Sequence, residues 1–230
     1  MLRQAETIGI FSSSYPLTAI APKAAENAVH YLEQCGYSVK KGKLFGKMDC
    51  YRSGSIRERA EEFNELLYDP EVTCLMAAVG GMVSNSLLPY IDYDFLKAHP
   101  KKIIGLSDIT AILLSVYQKS GLTTFYGPNL VTCFGQEPPF LEYSMRSMEQ
   151  AFSGKCPFSI QMPPFYSDEL TDWESTPFLK TSKLKQMDYC SVRFRNGPAY
   201  WRKFKYHKRN YGKSLYAAIP GRRYSLFGGY

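Results

Sequence analysis

Apolar segments of two different periods alternate along the first two thirds of this 230-residue chain, and that rhythm limits its fold more than any other feature. Residues 6 to 12, ETIGIFS, predict a buried strand. Ala21 to Gly36, APKAAENAVHYLEQCG, predicts a helix with Pro22 near its start and Gly36 as its stop. YSVKKG is a second short strand. SIRERAEEFNELLYDP predicts a helix capped by Ser55, with Ile56, Ala60, Phe63 and Leu67 on its apolar face. VTCLMAAVGG, KKIIGLS and LTTFYGP supply three further strands; DITAILLSVYQKSG and EYSMRSMEQAF supply two further helices. Such an order predicts an α/β fold, a parallel sheet with helices on both faces. Ligands of such sheets bind beyond the carboxyl ends of the strands.

Gly80-Gly81 and Ser107 both fall at such ends. Ser107 follows the apolar run Ile103-Ile104 and precedes a helix, so its hydroxyl lies beside free N–H groups at the positive end of that helix. Some hydrolases hold a nucleophile in such a turn, but on local chemistry alone a helix cap is the simpler account of the serine. Gly80-Gly81 reads either as a tight turn or as one wall of an oxyanion hole, with the Asp108 N–H as the second donor. Ser84 and Asn85 open the next helical stretch, as caps or as substrate contacts. His30 sits mid-helix, His99 precedes Pro100 in a turn and His207 lies in a basic tail; each reads as a solvated or packed histidine before it reads as a base. No Cys/His spacing fits a metal site, and no metal or cofactor is expected.

The net charge of +7 is unevenly distributed. Residues 181 to 230 hold six Lys and six Arg against the single acid Asp188, so all of the positive excess lies there. No run reaches the ~18 apolar residues of a membrane span. The opening MLRQAETIGIFSSS lacks the apolar core of a signal peptide, which points to the cytoplasm. Cys35, Cys50, Cys74, Cys133, Cys156 and Cys190 form no regular framework, and reduced, mostly buried thiols are expected.

The stretch GGMVSNSLLPYIDYDFLKAHPKKIIGLSDITAILLSVYQKSGLTTFYGP resembles the core of the LD-carboxypeptidase family of serine peptidases, which includes the microcin C immunity proteins. The double glycine, LLPYIDYD, HPKKIIGLSDIT, the later YGP and the opening IGIFSSS carry the resemblance over about residues 5 to 155. It implies a flavodoxin-like amino domain over 1–155, with Ser107 as nucleophile. The oxyanion hole would come from Gly81 and the backbone of Asp108, and Gly80, Ser84 and Asn85 would line the substrate site. It also implies a peptide or peptidyl-nucleotide substrate and a homodimer. Nucleic acid is not the expected partner, although the tail interleaves bases with aromatic rings as single-strand binders do. A nucleotide-binding reading of GIFSSS and VGGMVSN lacks both GxGxxG and P-loop patterns.

The family triad is Ser-Glu-His, with Glu and His in a carboxyl-terminal domain that carries GGNL, a strand ending in ED and a late histidine. None of these appears here, so the second domain reads as incomplete. Residues 156–180 read as a linker with Pro157, Pro163 and Pro164, and 181–230 as an out-of-frame remnant. Tyr200 to Lys205 can be written TAT TGG AGG AAA TTT AAA; moved by one nucleotide it gives IGGNLN. With permitted codons, the same offset turns the final stretch into MPPFRAGDILFLED. A frameshift also explains the charge step and the loss of periodicity.

Overall fold

A computed structural model describes residues 6–136, 138–154, 163, 165–166 and 183–184. The chain divides into two units, Met1–Leu184 and Lys185–Tyr230, and all described residues lie in the first. Most of the expected linker and of the expected basic tail lies outside the described residues.

Five strands, β1 (Thr7–Phe11), β2 (Ser38–Lys41), β3 (Val72–Ala77), β4 (Lys102–Gly105) and β5 (Phe125–Tyr126), form one sheet in the order β2-β1-β3-β4-β5. All four pairings are parallel. The helices are α1 (Leu17–Ile20), α2 (Pro22–Gln34), α3 (Ile56–Tyr68), α4 (Tyr93–Ala98), α5 (Thr110–Ser120) and α6 (Phe140–Phe152). A short antiparallel pair, β6 (Phe165–Tyr166) with β7 (Lys183–Leu184), follows where the sequence shows no strand alternation. The α/β fold is as expected, down to Pro22 at the first turn of α2 and Gly36 at φ +91 beyond its end.

The strand side chains divide between two cores. Ile8, Ile10, Cys74, Met76 and Ile104 pack under α1, α2, α6 and a π-helical turn, Leu130–Phe134. Phe11, Leu75, Ala77 and Ile103 pack under α3, α4 and α5. Both faces are covered, which is why these strands read as continuous apolar runs. Gly9 leaves room for its neighbours, since a Cβ there would lie 2.9 Å from Val72 Cγ1 on β3 and 3.2 Å from Leu66 Cδ2 on α3.

The serine cap of α3 is a complete capping box: the Ser55 hydroxyl takes the Glu58 N–H, and Glu58 takes the Ser55 N–H. The expected apolar face is only partly right. Ala60, Phe63 and Leu67 are buried, whereas Ile56 is exposed, and two charged residues, Arg59 and Glu62, are buried on that helix. The thiols also differ from expectation. Cys35, Cys50, Cys74 and Cys133 are free, but Cys35 and Cys50 are exposed because both lie in surface turns; Cys156 and Cys190 lie outside the described residues. No helix among the described residues is long and apolar enough to cross a membrane.

Burial pushes the Glu62 carboxyl up to about 7, against the pull of the Ser12 and Leu44 N–H groups and of Lys43; Glu65 adds to the rise. The folded chain therefore holds a proton on Glu62 that the unfolded chain has released once the pH exceeds the ordinary glutamate range. Stability should fall as pH rises from about 4.5 to about 7, by at most about 1.4 kcal/mol per unit from this group, and level off above. Glu62→Gln should remove that component of the slope. Urea unfolding at pH 5, 6, 7 and 8 measures it; an unchanged slope in the variant contradicts the assignment.

Candidate active site

Three adjacent strands deliver their carboxyl ends to one place. β1 is followed by Ser12-Ser13-Ser14, β3 runs on to Gly80-Gly81, and β4 is followed by Leu106-Ser107. Because the strands are parallel, all three turns emerge on the same edge of the sheet.

Ser107 opens a 3₁₀ turn, Ser107–Ile109, that runs into α5, and it is exposed. Its φ is +64, one of two positive values among the described non-glycine residues. A side chain in this left-handed region is strained, and such strain gathers at functional sites. Several contacts hold the turn. Asn129 Oδ1 accepts the Leu106 N–H at 3.0 Å, and the Ser107 carbonyl accepts the Thr110 hydroxyl at 2.6 Å. At Gly105 a Cβ would lie 2.7 Å from Ile109 Cγ2, so only glycine lets the helix turn back this tightly.

Gly80 faces Ser107. A Cβ on Gly80 would lie 3.1 Å from Ser107 Cβ and 3.4 Å from the Asp108 nitrogen. Any side chain there would fill the space between hydroxyl and N–H. Gly81 has φ +152, and its Cα presses on Ser14: a Cβ would lie 2.7 Å from Ser14 Cβ. The Ser14 hydroxyl accepts the N–H groups of Met82, at 2.9 Å, and Val83, at 3.0 Å. The Asp108 carboxylate accepts the Ser84 N–H at 2.9 Å and so ties the two turns together.

The structure thus brings Ser107, Asp108, Gly80 and Gly81 together. Ser84 has a different place from the one its sequence position suggests. It is fully buried, and its hydroxyl is paired with Ser13 at 2.8 Å, so it supports the turn from beneath instead of facing a substrate. Asn85 is exposed on a 3₁₀ helix, Ser84–Tyr90. His30 pairs with Gln34 on α2, and His99 stacks on Phe95 with centroids 4.2 Å apart; neither is hydrogen-bonded to Ser107. His207 lies outside the described residues. Among the described residues no cluster of His, Cys, Asp or Glu is placed to hold a metal.

Sequence reasoning missed three supports: Ser14, Asn129 and Tyr126. The phenol of Tyr126 accepts the Ser107 N–H at a long 3.4 Å, while its side chain stands at the exposed rim. YGP and IGIFSSS marked the stretches that hold Tyr126 and Ser14 without giving either residue a role; nothing local marked Asn129.

The model of the LD-carboxypeptidase N-terminal domain matches residues 8–127, more than half of the chain. The chain belongs to the LD-carboxypeptidase family. It is 46% identical over 181 residues to the microcin C7 self-immunity protein MccF of Escherichia coli, across 78% of this chain and 53% of that protein. It is 32% identical over 124 residues to the murein tetrapeptide carboxypeptidase of Pseudomonas aeruginosa, across 54% of this chain and 40% of that one. The solved structure of MccF in complex with aspartyl sulfamoyl adenosine superposes with a TM-score of 0.75 at 45% identity, across 80% of this chain and 56% of that chain. This member of the family spans about half the length of the curated relatives it matches.

The strain at Ser107 has a measurable counterpart. Ser107→Gly should leave stability unchanged or raise it by up to about 1 kcal/mol, because glycine accepts a positive φ without strain. Gly81→Ala should lower it, because the added methyl collides with Ser14. Urea midpoints of both variants check this; a clear loss of stability in Ser107→Gly contradicts a strained turn.

Proposed function

We propose that this chain carries the nucleophile half of a serine carboxypeptidase. The observation that carries the reading is an exposed serine hydroxyl, held at positive φ, with the Asp108 N–H beside it and a glycine opposite that leaves the space between them open. In this reading the Ser107 oxygen attacks the carbonyl carbon of an amide, its proton passes to a base, and the carbonyl oxygen becomes an oxyanion held by the Gly81 and Asp108 N–H groups. Collapse breaks the carbon–nitrogen bond, the base returns its proton to the leaving amine, and water then releases the acyl group from Ser107.

The amide lies next to a terminal D-amino acid in a murein peptide, or in an aminoacyl nucleotide of the microcin C type. The greater identity to MccF than to the murein tetrapeptide carboxypeptidase supports the second substrate, and MccF itself has been captured with aminoacyl sulfamoyl nucleosides. The reading includes action in the cytoplasm and the homodimer that the family resemblance implies.

The base is a histidine oriented by a glutamate, both from a downstream half. Residues 181–230 are read as an out-of-frame translation of that half's beginning, and 156–180 as the linker to it. The charge step and the shifted strings IGGNLN and MPPFRAGDILFLED support this. The chain as written should turn over little, since losing triad members costs serine proteases on the order of 10⁴ to 10⁶ in kcat.

Restoring the frame near codon 180 and extending the gene to the next stop should give an enzyme that releases D-alanine from an LD-murein tetrapeptide or cleaves an aminoacyl sulfamoyl adenosine. Ser107→Ala in that enzyme should abolish turnover and change stability by no more than about 1 kcal/mol. Chromatographic product assays and urea melts read both. Downstream DNA without a histidine-bearing continuation, or full activity without the Ser107 hydroxyl, would overturn the proposal.

A further inference from the structure

Two buried ionisable side chains on α3 are not used by the chemistry above. Arg59 is 1% exposed and Glu62 is 0% exposed. A buried charge is costly unless it is fully hydrogen-bonded. Both are bonded, and their partners are mainly backbone groups of the site loops. Arg59 also lies in the fourth position of α3, near the positive end of the helix, where helix stability alone disfavours a cation. Its presence calls for a reason outside the helix.

Arg59 donates to the carbonyls of Gly54, at 2.9 Å, and Ser55, at 3.3 Å, just before its own helix. It then reaches across to the Ser13 carbonyl, the Val83 carbonyl at 3.3 Å and the Ser86 hydroxyl at 3.2 Å. Glu62, one turn further along α3, accepts the Ser12 N–H at 2.6 Å and the Leu44 N–H at 2.7 Å. The Ser12–Ser13 dipeptide is therefore held at its N–H by a carboxyl and at its C=O by a guanidinium. The next residue is Ser14, whose hydroxyl takes the N–H groups of Met82 and Val83 and whose side chain presses on Gly81. Arg59 grips the far end of the same turn at Val83.

We infer that Arg59 and Glu62 are positioning residues for the Gly81 turn, fixing it through Ser12, Ser13 and Ser14. This rests on the reading of that turn as an oxyanion wall. The Asp108 donor is carried by the turn into α5, and its carboxylate, taking the Ser84 N–H, links that turn to the Gly81 side. Positioning a hydrogen-bond donor to a fraction of an ångström is what makes such a hole effective, and a planar fork with several donors suits that work better than an apolar side chain of equal volume.

The test uses the purified chain and needs no turnover. Site-resolved amide hydrogen exchange and ¹H–¹⁵N shifts are compared for Arg59→Met, Arg59→Lys, Glu62→Gln and Phe63→Leu. Phe63→Leu loosens the core under the same helix without touching the loops. In Arg59→Met, exchange at Met82 and Val83 should quicken by about tenfold more than at β4 and α5, with a shifted Gly81 resonance. Arg59→Lys should fall between it and the parent. Glu62→Gln should give the same pattern more weakly, since it keeps an acceptor for Ser12, and it supplies the comparison if Arg59→Met does not fold. Exchange that quickens evenly, as in Phe63→Leu, or turn amides that do not change, would overturn the inference. A lack of peptidase activity in the frame-restored enzyme would sink the oxyanion reading and leave the exchange result standing.

Discussion

Parallel pairing is the constraint from which the rest follows. A parallel strand can be joined to its neighbour only by a crossover, so each connection covers a face of the sheet and each strand ends on the same edge. Here that edge collects the ends of β1, β3 and β4 side by side. The serines after β1, the glycines after β3 and Ser107 after β4 are about 25 to 95 positions apart in the chain, yet they meet in a volume of a few residues. No turn by itself contains the site.

Within that edge, hydrogen bonds and close approach divide the work. Asn129 and Thr110 hold the Ser107 turn in a left-handed conformation that a serine would not choose alone. Gly80, Gly81 and Gly105 each remove a side chain where another group must come near. Arg59 and Glu62 meet the backbone polarity of loops that leave the sheet and would otherwise lie buried without partners. Such an edge combines strain, open space and buried charge. The two apolar cores beneath it are conventional and well buried, which lets the edge keep these costly features.

Some of this was legible in the residues. The strand and helix periods fixed the class of fold, because burial on both faces leaves apolar runs while one-sided helices leave a stripe. Ser55, Pro22 and Gly36 marked helix ends by chemistry that acts within one turn. Gly-x-Ser between an apolar run and a helix pointed to Ser107, and the family resemblance carried the pairing with Gly80-Gly81. The short helices α1 and α4 and the π-helical turn gave no clear period, being too short to show one.

The sequence by itself determined the alternation, the main caps and the turn that holds Ser107, since each depends on neighbours along the chain. Tertiary structure alone decided which charges go inside. Arg59 and Glu62 look like solvated residues in an acidic, basic helix, and the loops that bring Ser12, Ser13 and Val83 from beyond β1 and β3 give them distant partners. It also decided that Ser84 lies beneath the turn, that Ile56 faces solvent and that Asn129 supports Leu106. Hydrogen bonds across tens of residues leave no period and no local motif, so they become visible only when the sheet has brought their ends together.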